Sequence, residues 1–125
     1  MKSIVSKEAP AAIGPYSQAI ISNGVVYVSG QIPISPETGT FLVGGIRIQT
    51  EQTIQNLKAV LAAAGSDLKH VVKTTCYLTD MVCFSEFNEV YAEHFTEKPA
   101  RSCVEVSALP KYAMLEIDAI AEIIR

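Results

Sequence analysis

The chain has 125 residues, 49% of them hydrophobic and 18% charged, with a formal net charge of -3, a mass of 13.5 kDa and a positive mean hydropathy. One hydrophobic core serves a chain of this length, so a single domain over residues 1–125 is expected. The acidic balance and scattered lysines exclude the basic footprint of a strong nucleic-acid binder, and so much apolar surface on so small a chain points to self-association.

Three cysteines, Cys76, Cys83 and Cys103, form an odd set without CxxC spacing, so neither a disulfide framework nor a zinc site is indicated and a reducing cytoplasmic setting is expected. Residues Met1 to Glu8 hold too short an apolar run for a signal peptide, and no later segment is long enough to span a bilayer.

In chain order, Tyr16 to Ser22 and Val25 to Gly30 read as strands around Asn23-Gly24, the dipeptide best suited to the positive φ angles of a two-residue hairpin. Pro33 to Gly45 reads as loop with a short strand at Thr40 to Val43. Ile54, Leu57, Leu61 and Ala64 recur at helical spacing, which predicts a helix from Thr50 to Ala64 with Gly65 as a left-handed C-terminal cap. Val71 to Thr79 is rich in β-branched residues and reads as a strand, and Phe84, Phe87, Tyr91 and Phe95 form one stripe of a second helix. Strands at Arg101 to Ser107 and Met114 to Ile124 complete the chain. Two helices cannot cover both faces of a five- or six-stranded sheet, so an α+β domain with both helices on one face of a mixed sheet is expected.

The last strand sharpens this picture. Period-two alternation puts Leu115, Ile117, Ala119, Ala121 and Ile123 on the helix side, with Met114, Glu116, Asp118, Ile120, Glu122 and Ile124 on the other. That second face mixes carboxylates with apolar groups, as a face does that meets another subunit and borders wet pockets.

Candidate chemistry is sparse. Arginine occurs only at positions 47, 101 and 125. Arg101 opens a strand and shares a face with Cys103 and Glu105, so a carboxylate gripped by its planar fork is in reach of the backbone N–H near Cys103. Read from composition alone, the solvated strand-edge cation is the favoured reading of Arg101. Glu116 lies between Leu115 and Ile117, where a carboxylate either pairs across a subunit seam or orients water in a cavity. Tyr16, after Gly14-Pro15, is a pocket phenol or a packing aromatic. His70 and His94 show no metal or nucleophile-activating spacing, and Gly30 stands outside any phosphate-loop pattern.

Gly14-Pro15-Tyr16-Ser17-Gln18, Ser29-Gly30-Gln31, Phe87-Asn88-Glu89-Val90-Tyr91, Pro99-Ala100-Arg101-Ser102-Cys103-Val104 and Leu115-Glu116-Ile117 together resemble the Rid family of reactive-intermediate deaminases over nearly the whole chain. The resemblance implies a chorismate-mutase-like fold assembled as a homotrimer with active sites between subunits. It also implies hydrolysis of small 2-imino acids such as 2-iminobutanoate and 2-iminopropanoate to 2-oxo acids and ammonia, without metal or organic cofactor. By the same resemblance Arg101 and the Cys103 N–H hold the substrate carboxylate, Glu116 positions water, Tyr16 lines the pocket and Ser29-Gly30 form its wall. Ala108 and Tyr112 depart from the family's usual residues in the loop before the last strand, which bears on substrate breadth. A regulatory ligand-binding module and a translation inhibitor with endoribonuclease activity are the competing functions within the same resemblance.

Overall fold

The computed structural model describes residues 1–125. Six strands, β1 (Lys2–Ile4), β2 (Ala19–Ser22), β3 (Val25–Gln31), β4 (Val71–Leu78), β5 (Ala100–Glu105) and β6 (Leu115–Glu122), and two helices, α1 (Ile46–Ala63) and α2 (Phe84–His94), make up the fold. The sheet order is β1-β2-β3-β6-β4-β5. Only the β4–β5 pair is parallel, with α2 between its strands as the crossover, and every other pair is antiparallel.

The hairpin forms where the sequence places it, with Asn23 at φ 52° and Gly24 at φ 74°, the two left-handed residues of its turn. Helix α1 also ends as expected. Gly65 takes φ 82°, its N–H reaches Ala62 O, and the Ser66 N–H reaches Leu61 O at 2.9 Å, so two otherwise orphaned carbonyls are satisfied in a Schellman cap.

The later strands differ from expectation by one or two residues at their ends, and larger differences occur earlier in the chain. Helix α1 starts at Ile46 rather than Thr50, because Ile46 extends the buried stripe by one turn that the Gly44-Gly45 pair disguises. Strand β2 starts at Ala19, and Tyr16 lies instead in a tight turn whose N–H bonds Gly14 O at 2.8 Å. The predicted strand at Thr40 to Val43 is reduced to one bridge between Ile34 and Phe41, while the sixth strand is β1 at the N-terminus. Three residues reading Lys-Ser-Ile carry too little alternation to announce a strand, and β1 forms because β2 offers it an open edge.

Both helices lie on one face of the sheet. Ile54, Leu57, Val60 and Leu61 of α1 and Phe87 of α2 have no exposed surface, and beneath them Cys76, Leu78, Leu115, Ile117 and Ala121 are equally enclosed. Each such aliphatic or aromatic side chain contributes about 1.5–3 kcal/mol by leaving water. Asn56 is buried among them because its amide donates to Ile32 O and Ile34 O at 3.0 and 2.9 Å, which ties the loop after β3 to α1. Arg47 bridges the helices through Glu86 and Glu89, a pairing that solvent screens. Truncation of Phe87 to Ala should lower unfolding stability by about 3–5 kcal/mol, measured by urea denaturation, since the enclosing residues cannot collapse around the vacated ring.

Candidate active site

Strand β6 runs through the middle of the sheet, and its alternation is as expected: Leu115, Ile117, Ala119 and Ala121 are buried, whereas Glu116, Asp118 and Ile120 are half-exposed on the face without helices. Opposite it β3 carries a bulge. Val28 pairs with Ala119 and Gln31 with Ile117, so Ser29 and Gly30 together oppose the single residue Asp118. The bulge turns Ser29 toward the segment after Tyr16, where its hydroxyl donates to Ser17 O at 2.6 Å and its N–H donates to Gln18 O at 2.9 Å.

Gly30 is needed there for space. A Cβ at this position would lie 2.5 Å from Glu116 Cδ and closer still to Oε2. The Glu116 side chain therefore lies directly across the glycine. Tyr16, Ser29, Gly30 and Glu116 all line one cavity of about 620 Å³, in which Glu116 is the only acidic residue and Lys111 the only basic one. Burial, and after it the charge of Asp118, pushes the Glu116 carboxyl above its ordinary value of 4.5. Such a group takes and returns a proton more readily near neutrality than an exposed carboxylate does.

Gln18 and the Pro110-Lys111 turn also form part of the cavity wall, and sequence reasoning gave neither a role. Gln18 is buried, its Oε1 accepts from the Ser6 N–H at 2.6 Å, and its Nε2 donates to Pro10 O at 2.8 Å. One amide thus clamps the N-terminal segment that supplies the cavity's Pro10 and Ala11. Lys111 and Tyr112 are consecutive left-handed residues, at φ 55° and 60°. Nothing in their residue types signals that backbone.

Arg101 and Cys103 lie elsewhere. Arg101 pairs with Thr74, and Thr74 with Ala119, so its side chain emerges on the helix face of the sheet. Glu116 pairs with Tyr77 on the opposite face. Within one protomer the cation and the carboxylate point away from each other across the sheet. The Arg101 guanidinium stacks over Tyr91, 4.8 Å from the ring centre, and donates to Asn88 Oδ1 at 2.7 Å. No carboxylate of its own chain lies within ion-pairing distance, so α2 orients a charged fork whose remaining donors are uncommitted. The sequence gives Asn88 away only as a polar residue beside an aromatic stripe.

Strand β5 is the edge of the sheet. The Val106 N–H bonds Leu78 O at 2.8 Å, and parallel strands direct alternate residues to opposite sides, so the N–H groups of Arg101 and Cys103 point outward from the edge. Burial raises the Cys103 thiol, against the opposing pull of Arg101, which makes it a poor nucleophile. His94 Nε2 lies 2.8 Å from Glu51 Oε1 and fastens α2 to α1, with Glu93 beside them.

Linkage gives a stability test of the Glu116 environment. A raised folded-state pKa stabilises fully below the unfolded value of 4.5, and that contribution is lost as pH rises through the folded value. Glu116→Gln should accordingly raise the Tm at pH 8 and leave it near the parental value at pH 4, as read by calorimetry. Gly30→Ala should displace the Glu116 carboxylate from the cavity, a shift of several ångströms visible by crystallography.

Comparison with known proteins agrees with this architecture. The family model described as "Endoribonuclease L-PSP" matches residues 6–123. A RutC family protein of Pyrococcus horikoshii is 54% identical over 97% of this chain and 98% of its own length. The chloroplastic Reactive Intermediate Deaminase A of Arabidopsis thaliana is 48% identical over 96% of this chain and 65% of that longer protein. The crystal structure of E. coli TdcF with bound serine superposes with a TM-score of 0.93 at 41% identity, covering 98% of each chain. The fold is chorismate-mutase-like, two helices on a mixed six-stranded sheet, and the chain belongs to the endoribonuclease L-PSP family, the group that includes the YjgF, RutC and Rid proteins.

Proposed function

We propose that the protein is a hydrolase of reactive 2-imino acids, converting substrates such as 2-iminobutanoate and 2-iminopropanoate to 2-oxo acids and ammonia in the cytoplasm. The observation that carries this reading is the unpaired, half-buried Glu116, laid across Gly30 in a cavity it shares with Tyr16 and Ser29. The deaminase name borne by the Arabidopsis relative agrees with it.

A 2-imino acid offers one fixed anion and, beside it, one electrophilic carbon. Arg101 takes the carboxylate on its fork, assisted by the outward Cys103 N–H. From the protonated imine, Glu116 accepts a proton from water as the oxygen bonds to C2, and the C=N bond becomes a single bond in a tetrahedral aminoalcohol. Return of that proton to the NH2 group makes an ammonium leaving group. The C–N bond then breaks with its electron pair on nitrogen, the hydroxyl passes its proton to the Glu116 carboxylate, which releases it to water, and the products are the 2-oxo acid and ammonia. Tyr16 closes the cavity over the substrate, and Ser29 with Gly30 forms its wall. The chemistry asks only for orientation and a proton relay from this chain, effects worth several kcal/mol. No metal or organic cofactor has a part in the scheme.

Because Arg101 and Glu116 sit on opposite faces of one sheet, the reading requires that each cavity be completed by the Arg101 and Cys103 of a neighbouring copy. A homotrimer with three shared sites meets that requirement, and the mixed apolar and acidic open face supplies its contact surface. The particle should sediment near 40 kDa, about three chain masses of 13.5 kDa. A fully active monomer would sink the shared site.

Arg101→Ala should abolish hydrolysis of 2-iminobutanoate generated in situ, with the nonenzymatic decay subtracted, while the fold and assembly persist. Arg101→Lys should recover little, since a point charge does not reproduce the bidentate fork. Glu116→Gln should lower turnover by roughly 10²-fold or more and still bind a 2-oxo acid product. Parental rates from either variant would remove that residue from the mechanism.

A further inference from the structure

The open face of the sheet carries one polar arrangement that the scheme above leaves without a role. Tyr77 on β4 is the register partner of Glu116, and Asp118 follows Glu116 by two residues on the same face of β6. The Tyr77 hydroxyl donates to Asp118 Oδ2 at 3.1 Å. Lys73 shares this face of β4, but its Nζ donates to Thr74 O and Thr75 Oγ1, each at 3.2 Å, and no cation of this chain forms an ion pair with Asp118, so a phenol rather than a counter-ion holds it. A carboxylate beside another carboxylate is an unfavourable arrangement, and the packing of the core does not call for it, since both point away from the helices.

We propose that Asp118, anchored by the Tyr77 hydroxyl, is a positioning residue for Glu116 that fixes a second negative charge beside it on the strand face. The proposal rests on the reading of Glu116 as the proton acceptor for water. The fixed charge makes removal of a proton from Glu116 harder, and therefore makes ionised Glu116 a stronger base and a readier store for the proton that nitrogen later needs. Among the charges of this chain, Asp118 is the one that acts on Glu116 in this direction.

The other groups facing Glu116 do not oppose this. Ser29 and Gly30 on β3 are uncharged, and Tyr16 lines the cavity. Lys111 lies exposed at the rim, where solvent screens its charge. Burial, followed by the hydrogen bond to Asp118, raises the Tyr77 hydroxyl, so Tyr77 remains a donor across the working pH range. In the assembled site the neighbouring Arg101 brings a cation, which the substrate carboxylate offsets.

The test uses the full chain in five forms, wild type, Asp118→Asn, Tyr77→Phe, their double variant and Glu116→Gln, each measured for kcat/KM against pH with 2-iminobutanoate. In parallel, the carboxyl ¹³C resonance of Glu116, identified by its loss in Glu116→Gln, is titrated. Asp118→Asn should move the Glu116 midpoint and the acid limb of kcat/KM to lower pH, and reduce the plateau about threefold, as a weaker base would. Tyr77→Phe should give a smaller change in the same direction, because Asp118 then loses its anchor, and the double variant should add nothing to Asp118→Asn.

An unmoved Glu116 titration in Asp118→Asn overturns the proposal even if activity falls, since a merely structural role lowers turnover without shifting the midpoint. Parental turnover by Glu116→Gln instead removes the reading on which the proposal stands. An inactive Glu116→Gln with an unshifted Asp118→Asn removes Asp118 alone.

Discussion

Strand β6 lies between β3 and β4 in the middle of the sheet, and the strict alternation of its side chains governs the rest of the molecule. Leu115, Ile117, Ala119 and Ala121 must lie under α1 and α2, because nothing else covers that much apolar surface. A shift of one residue would bury Glu116 and Asp118 beneath the helices and expel the aliphatic set. The core thus fixes the register, and the register fixes where the two carboxylates stand. Hydrophobic burial of ordinary side chains holds the reactive group in place without a dedicated hydrogen bond.

The same logic separates Arg101 from Glu116. Thr74 links β5 and β6 on the helix face, and Tyr77 links them on the other. The aromatic residues of α2 then take up the arginine, through the face of Tyr91 and the amide of Asn88. Both sets of contacts are local and firm, so neither side chain can cross to its counterpart within a protomer. Under the proposed shared site, the surface left uncovered is also the surface where a second copy would bring what the cavity lacks.

Much of this was legible in the residues. Period-two alternation from Leu115 to Ile123 gave the buried face of the last strand, Asn23-Gly24 gave the hairpin, and Gly65 gave the end of α1, because each depends on local sterics or a single periodicity. The family motifs named Tyr16, Ser29, Gly30 and Glu116, which the structure brings to one cavity, and Arg101 and Cys103, which it does not. Strand β1 and the first turn of α1 escaped detection, since one depends on an edge supplied by β2 and the other follows a glycine pair that reads as loop. Asn88 and Tyr77 were invisible as partners because pairing across 13 and 41 positions leaves no trace in local pattern. The role of Gly30 was equally hidden, since its reason is the atom that passes over it.

That last contact binds two positions together. A Cβ at position 30 meets only the Glu116 side chain, so a residue larger than glycine there is accommodated by swinging the carboxylate away. The size of residue 30 therefore sets the direction in which residue 116 points, and the two positions act as one steric unit.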